Sequence, residues 1–353
     1  MNHLSKVLGD GMYENRFGAT VGRRLQSAAA VTAFATAFLS GAPLAVAADK
    51  VDFPAKGRSI TIIVPFGAGG STDVGARNLA PFMEKALGVP VEVVDKPGAG
   101  SQIGITAALA EKPDGYTLFM ANLPGPVTIF LNPDRKSVFK GKKDFTFLGM
   151  QLIDPGAIAV QFDGPHKNIG DLVKAAKAGP GKLKAATTGL LSDDHIAILD
   201  VEKNAGVKFA IVHFDSNPER DTQLIGGKID ASFGNAGSFY APHTNNKVRI
   251  IGVMDNKRWP KLPDVPTFES LGYKIYQASG RGLYAPPGMN PAIRDILVEA
   301  IRKGVTDPEH IKRMDAAGFP VGYMSPAEHE KYWDRVEATI TPIFKEAYAE
   351  SKK

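Results

Sequence analysis

The sequence predicts an α/β protein built as two lobes, on three observations. The chain has 353 residues, enough for two domains. Residues 60–77, ITIIVPFGAGGSTDVGAR, place a short apolar run, a glycine loop and a helix start end to end. The same order of strand, polar loop and helix returns from residue 184 onward.

Ile60 to Val64 is nearly unbroken in apolar character, as a buried parallel strand requires. Pro65 ends it. Phe66, Gly67, Ala68, Gly69 and Gly70 follow as an unobstructed loop, and Ser71, Thr72 and Asp73 are each competent N-caps for the next helix. Bare N–H groups and a positive helix end at the carboxyl edge of a sheet receive anions. An ordinary tight turn is the competing reading of the same residues. Neither a G-x-G-x-x-G register nor a Lys-Ser/Thr pair follows, so dinucleotide and Walker-type binding are unsupported.

The helix runs from Asp73 to Leu87, with Leu79, Met83 and Leu87 on one stripe and Gly88 as its stop. Val89 to Val94 is a second strand. A second glycine loop, Gly98, Ala99, Gly100 and Ser101, opens a helix bearing Ile103, Ala107 and Ala110. The turn Pro113-Asp114-Gly115 leads into a third strand, Tyr116 to Ala121, and a loop with Asn122, Pro124 and Gly125. Residues 126–150 are less regular. Phe145 to Leu152 and Ala157 to Val160 read as two strands crossing into the second lobe.

A helix starts at Asn168 and is stopped by Gly179-Pro180-Gly181. Lys184 to Ala186 is a strand, Thr187, Thr188 and Gly189 begin a polar loop, and Asp193 or Asp194 caps a helix that Gly206 ends. Val207 to His213, Ile229 to Phe233 and Val248 to Met254 are further strands. A helix over Glu219 to Ile225 precedes the second, and the loop with Asn235, Gly237 and Ser238 follows it. Residues 255–290 are rich in Pro and Gly, and Gln277 to Tyr284 is the strand that returns to the first lobe. Three helices close the chain: Pro291 to Lys303, Pro308 to Ala317, and Pro326 to about Tyr348, capped by Ser325.

The N-terminus has Arg23-Arg24, an apolar run from Ala28 to Leu39, and Ala45-Val46-Ala47. These are the three regions of a cleaved secretory signal peptide, assigned to residues 1–47. The run is short for a membrane anchor, which is the alternative. The Arg pair hints at the twin-arginine route, although Leu25-Gln26-Ser27 match it poorly, and the first 22 residues are compatible with an over-extended start. Loss of residues 1–47 takes away Lys6, Arg16, Arg23, Arg24, Asp10 and Glu14 and leaves 38 basic against 35 acidic residues. No basic run suggests nucleic acid. Cysteine is absent, which removes thiolate chemistry and suits an oxidising compartment.

Both lobes thus present helix N-termini and hydroxyls to a shared gap. The expected ligand is a dianion, or an acid with a second polar end, held by hydrogen bonds to an ionised acceptor worth about 1.5–3 kcal/mol each.

VPFGAGG with Asp73 and Ala76-Arg77, then DKPGAGSQIG, PDGYTL, LIGGKIDASFGN and LPDVPTFESLG occur in order along nearly all of the mature chain. The set resembles the periplasmic solute-binding receptors of tripartite tricarboxylate transporters, the Bug or TctC-like family. The resemblance implies a two-lobed periplasmic-binding-protein fold, type II-like, with two crossover strands. Lobe 1 would comprise residues 48–154 and 280–353, and lobe 2 residues 155–279. It also implies a periplasmic monomer without a cofactor that hands a small organic carboxylate to two integral membrane subunits. The matching ligand residues are Phe66, Gly67, Ala68, Gly69, Gly70, Ser71, Thr72 and Asp73 in the first loop and Gly98, Ala99, Gly100 and Ser101 in the second, with Asn122 at the end of the third strand. In the opposite lobe they are Thr187, Thr188, Gly189, Asn235, Gly237 and Ser238. Many members carry Tyr-Lys-Gly where this chain has Phe214-Asp215-Ser216, which withdraws that loop from the expected set. Gly280-Arg281 replaces an aromatic near the return crossover, and Arg281 is the one cation expected near the cleft. A salt bridge is the alternative role for it.

Two other function classes remain open: a periplasmic hydrolase using His195, and a sensor that passes the same ligand signal to a kinase. Against catalysis, Ser192-Asp193-Asp194-His195 has no second cluster to complete a site, Glu328-His329-Glu330 lacks H-E-x-x-H spacing, and no G-x-S-x-G elbow occurs. His213, Trp259 and Trp333 read as structural.

Overall fold

The structure is a computed structural model that describes residues 51–350 apart from Leu191. The segment assigned to a signal peptide lies outside the described residues. Strand β1 (Ile60–Val64) is flanked in parallel by β2 (Val91–Asp95) and β3 (Thr117–Leu123). β3 pairs antiparallel with β9 (Ala278–Ala285), and β9 with β4 (Thr146–Gln161). In the second lobe β6 (Ala210–His213), β5 (Lys184–Thr187) and β7 (Ala231–Asn235) are parallel neighbours, and β7 lies antiparallel against β4. β8 (Val248–Val253) pairs with the other edge of that half of β4.

β4 therefore belongs to both lobes. Its residues 146–155 pair with β9, and its residues 156–161 with β7 and β8. The sequence reading broke this segment into two strands around Asp154-Pro155-Gly156. The backbone instead runs through as one 16-residue strand. Proline cannot donate to a ladder, and Pro155 sits where β4 exchanges one set of partners for the other. Gly156 then donates its N–H to the Gln277 carbonyl at 2.6 Å.

Side-chain alternation explains why the strands are apolar on both faces. Ile60, Ile62 and Val64 of β1 pack with Leu118 and Met120 under α1 (Ser71–Leu87) and α8 (Pro291–Val305). Ile63, Phe119 and Ala121 point the other way, toward Ile105, Phe145, Tyr284 and Trp333. In the second lobe Ile158 and Val160 face Ile169, Leu172 and Phe268, whereas Ala157 and Ala159 face Phe239 and Trp259. Among the described residues no helix is long and apolar enough to cross a membrane.

Several helix starts differ from the reading. The N-cap of α1 is Gly70, and that of α5 (Asp193–Ala205) is Ser192, whose Oγ accepts the His195 N–H at 3.2 Å. The helix α3 (Gly125–Leu131) and the short strand β10 (Val321–Met324) were not expected. α3 begins Gly125-Pro126, which reads as a loop, yet a proline in the first turn is preorganised for a helix. Ser325 does cap α10 (Pro326–Glu350), in a reciprocal arrangement with Glu328. Near its C-terminal end α10 meets α5, where Lys203 pairs with Glu346 at 2.6 Å, and Ile196 of α5 is buried in the first lobe's aromatic cluster.

At the junction of the lobes Arg281 Nη2 donates to Asp154 Oδ2 at 3.0 Å, with both side chains fully buried. Asp154 Oδ1 accepts the Gly237 N–H at 2.9 Å, and the Arg281 guanidinium lies 5.0 Å from the Phe319 ring centroid. Burial raises the Asp154 carboxyl, and Arg281 opposes that rise. Removing one partner of such a pair strands the other charge. Arg281→Met is expected to lower stability by about 3–5 kcal/mol in urea unfolding, and adding Asp154→Leu to recover much of the loss.

Candidate ligand cleft

β1 and β3 end at the same edge of the first lobe and deliver Phe66, Gly70, Ser71, Thr72 and Asn122 to the gap between the lobes. Among the described residues no side chain caps the start of α1, so its first N–H groups and the positive end of its dipole face the gap. Asp73 does not compete for them. Its Oδ2 accepts the Gly69 N–H at 2.8 Å, and its Oδ1 pairs with Arg77 at 2.6 Å. Thr72 Oγ1 donates to Asn122 Oδ1 at 2.9 Å, which fixes the amide with its NH₂ group free of that bond.

The second lobe supplies Thr188, Asp193, Asp215, Ser216, Asn217 and Asn235. Here most donors are used internally. Thr188 gives both its N–H and its hydroxyl to Asp194 Oδ2, at 3.2 and 2.7 Å. Thr187 is buried, with its Oγ1 2.8 Å from His213 Nδ1. Asn235 donates to the Asp154 carbonyl and to Asp193 Oδ2 at 3.1 Å. Asp194 faces Arg220 at 3.2 Å, and Arg220 also pairs with Asp221 at 3.0 Å. Burial, and then the charge of Asp194, push the Asp193 carboxyl up to about 7. Burial and the neighbouring His213 hold His195 down to about 4.

The lobes are closed on each other. Their common cavity is about 20 Å³, room for little more than a water molecule. Asn217 Nδ2 donates across the gap to Ser71 Oγ at 2.5 Å. On the far side Arg135 donates to the Ala99 carbonyl of its own lobe at 2.6 Å and to the Leu190 carbonyl opposite at 2.9 Å. A Cβ added to Gly189 would lie 3.3 Å from Gly100 Cα, so glycine at both positions permits the two loops to touch.

The expected residues divide into three groups. Phe66, Gly70, Ser71, Thr72, Asn122, Thr188 and Asn235 line the cavity. Gly67, Ala68 and Gly69 form the remainder of the first loop, beside Ser216 and Pro218; in the second loop Gly100 lies against Gly189 and Leu190, Ala99 shares Arg135 with Leu190, Gly98 sits beside Ile103, and Ser101 is buried next to Gly125. Gly237 donates to Asp154 at the junction of the lobes and Ser238 to the Asn235 carbonyl, and neither lines the cavity. Arg281 is a correction. It is 0% exposed and committed to Asp154, and it does not line the cavity. Asp193, Asp215, Ser216 and Asn217 line the cavity without having been expected there. The replacement of a lysine by Asp215 was a visible signal. Asp193 was hidden because an acidic pair after Ser192 also reads as a helix cap.

Two opposed lobes joined by crossover strands, with an uncapped helix end at the gap, define a solute-binding receptor of the periplasmic-binding-protein type. The profile described as "Tripartite tricarboxylate transporter family receptor" matches residues 75–347, and the chain belongs to that family. It is 31% identical over 314 residues to the "UPF0065 protein in gbd 5'region" of Cupriavidus necator, covering 88% of this chain and 93% of that one. The solved structure of the periplasmic binding protein BugD superposes with a TM-score of 0.76 at 28% identity, over 82% of this chain and 98% of BugD. MatC from Rhodopseudomonas palustris, solved with bound malate, shares the fold at a TM-score of 0.71 and 24% identity, over 84% of this chain and 98% of MatC.

Two measurements check the site. Arg135→Ala combined with Asn217→Ala removes both cross-cleft bonds, so the ligand-free variant is expected to show a larger radius of gyration by small-angle X-ray scattering than wild type. A folded-state carboxyl raised above its unfolded value contributes stability that is present below the unfolded pKa and lost as pH rises through the folded one. Between about pH 4 and 7 the Asp193 contribution therefore falls with rising pH, and Asp193→Asn is expected to flatten that part of the stability profile measured by urea unfolding.

Proposed function

We propose that the protein captures a small organic carboxylate between its lobes and delivers it to the two integral membrane subunits of a tripartite tricarboxylate-type transporter. The uncapped N-terminus of α1, set beside the Ser71 hydroxyl and the Asn122 amide, carries this reading. Aligned N–H groups and a positive dipole end bind a carboxylate without any cationic side chain. Exclusion of water on closure strengthens each of those hydrogen bonds.

In this reading residues 48–154 with 280–353 form one rigid lobe and residues 155–279 the other, hinged near 152–157 and 277–283. The chain acts as a monomer in the periplasm, reached by way of a cleaved signal peptide at residues 1–47, and needs no cofactor. It returns its ligand chemically unchanged. Ser192, the hydroxyl nearest His195 in sequence, is engaged as a helix cap, which favours binding over hydrolysis.

A thermal-shift and calorimetric screen of mono-, di- and tricarboxylates tests the proposal. A true ligand at one hundred times its Kd should add about 2.7 kcal/mol of apparent stability and be recovered intact. Ser71→Ala with Asn122→Ala should weaken that ligand by about 2–3 kcal/mol, at about 1–1.5 kcal/mol per lost hydrogen bond, with the fold unchanged by circular dichroism. Full affinity in the double variant, or turnover of the ligand, would contradict the proposal.

A further inference from the structure

The cleft is electrically lopsided. Its first-lobe wall offers donors: the free N–H groups of α1, the Ser71 hydroxyl and the Asn122 amide. Its second-lobe wall carries two carboxyl groups, Asp193 and Asp215, and among the described residues no Lys or Arg side chain lines the cavity. The neighbouring buried acids are already matched: Asp194 and Asp221 share Arg220, and Asp154 holds Arg281. Among the described residues Asp193 has no such cationic partner. It is only 8% exposed, lines the cavity, and is held by two neutral donors, the Asn235 amide at Oδ2 and its own backbone N–H. Asn235 from β7, Asp194 on its own helix, Arg281 from β9 and Tyr332 from α10 are the polar groups that sense it.

We infer that the ligand is a zwitterion, with its carboxylate on the N-terminus of α1 and an ammonium group received by Asp193 and Asp215. The inference rests on the carboxylate-receptor reading and narrows it. A diacid would press its second carboxylate toward the exposed Asp215 and the buried Asp193, and such a like-charge juxtaposition is disfavoured. An ammonium group instead supplies the counter-charge that Asp193 lacks, and it stabilises the ionised carboxylate against its burial. Binding then releases a proton from Asp193 near neutral pH, whereas a diacid would take one up.

Matched pairs separate the two ligand classes: γ-aminobutyrate against glutarate, and β-alanine against succinate, each pair exchanging an ammonium for a carboxylate on the same spacer. Isothermal titration calorimetry of the full mature chain, in two buffers of different ionisation enthalpy, is expected to show the amino acid of at least one pair binding about tenfold or more tighter than its diacid, with proton release. Asp193→Asn should erase that preference. Asp215→Asn, at an exposed loop position, should reduce it and covers the case in which the Asp193 variant does not fold. Equal or tighter binding of the diacids overturns the zwitterion and leaves the carboxylate receptor standing. If neither class binds, and no other carboxylate in the screen does, both fall.

Discussion

Both lobes hang on one continuous strand. β4 gives its first ten residues to β9 and its last six to β7 and β8, so neither half-sheet is complete without it. At the handover Pro155 has no N–H to give the ladder. The handover is braced by the buried Asp154–Arg281 pair and by the Gly237 N–H, which also carries the brace to the start of α7 (Ala236–Thr244). A charge pair in this position trades its desolvation cost for a fixed geometry between two sheets. The relative position of the cleft walls follows from that geometry.

The cleft shows how a binding surface can be charged without charged donors. On the first-lobe side the backbone does the work, because a glycine loop leaves the helix end bare and Asp73 is turned back onto Gly69. On the second-lobe side the comparable backbone and hydroxyl donors of Thr187 and Thr188 are drawn inward by His213 and Asp194. Two loops that look alike in sequence thus face the gap with opposite electrical character. What distinguishes them is the carboxylate six residues further on, which collects the second loop's donors for itself.

That difference marks where the sequence was legible. Apolar runs such as Ile60–Val64, stops such as Gly88 and Gly206, and the cap Ser325 are decided by neighbours in the chain, and they were readable. The continuity of β4 was not, because Asp-Pro-Gly signals a turn locally and only the change of partner strands makes it tolerable. α3 and β10 were missed for a similar reason, since seven and four residues are too few for periodicity to speak. In the site, glycine and serine positions on the first loop could be placed by local pattern. The placements of Arg281 and Asp193 could not, because both depend on which long-range partner, Asp154 or Asn235, claims the charge.

In the hinge opening proposed above, Ile196 would be the fulcrum. A side chain of the second lobe embedded among the first lobe's aromatics cannot travel far without leaving an apolar hole, so the proposed opening would be a swing about that point. The bonds of Asn217 and Arg135 lie at the end of the lever, where a small rotation at the back becomes a wide excursion at the mouth. Acting with that leverage, those two bonds would add to the Lys203–Glu346 and Lys261–Asp315 ion pairs in holding the jaws shut.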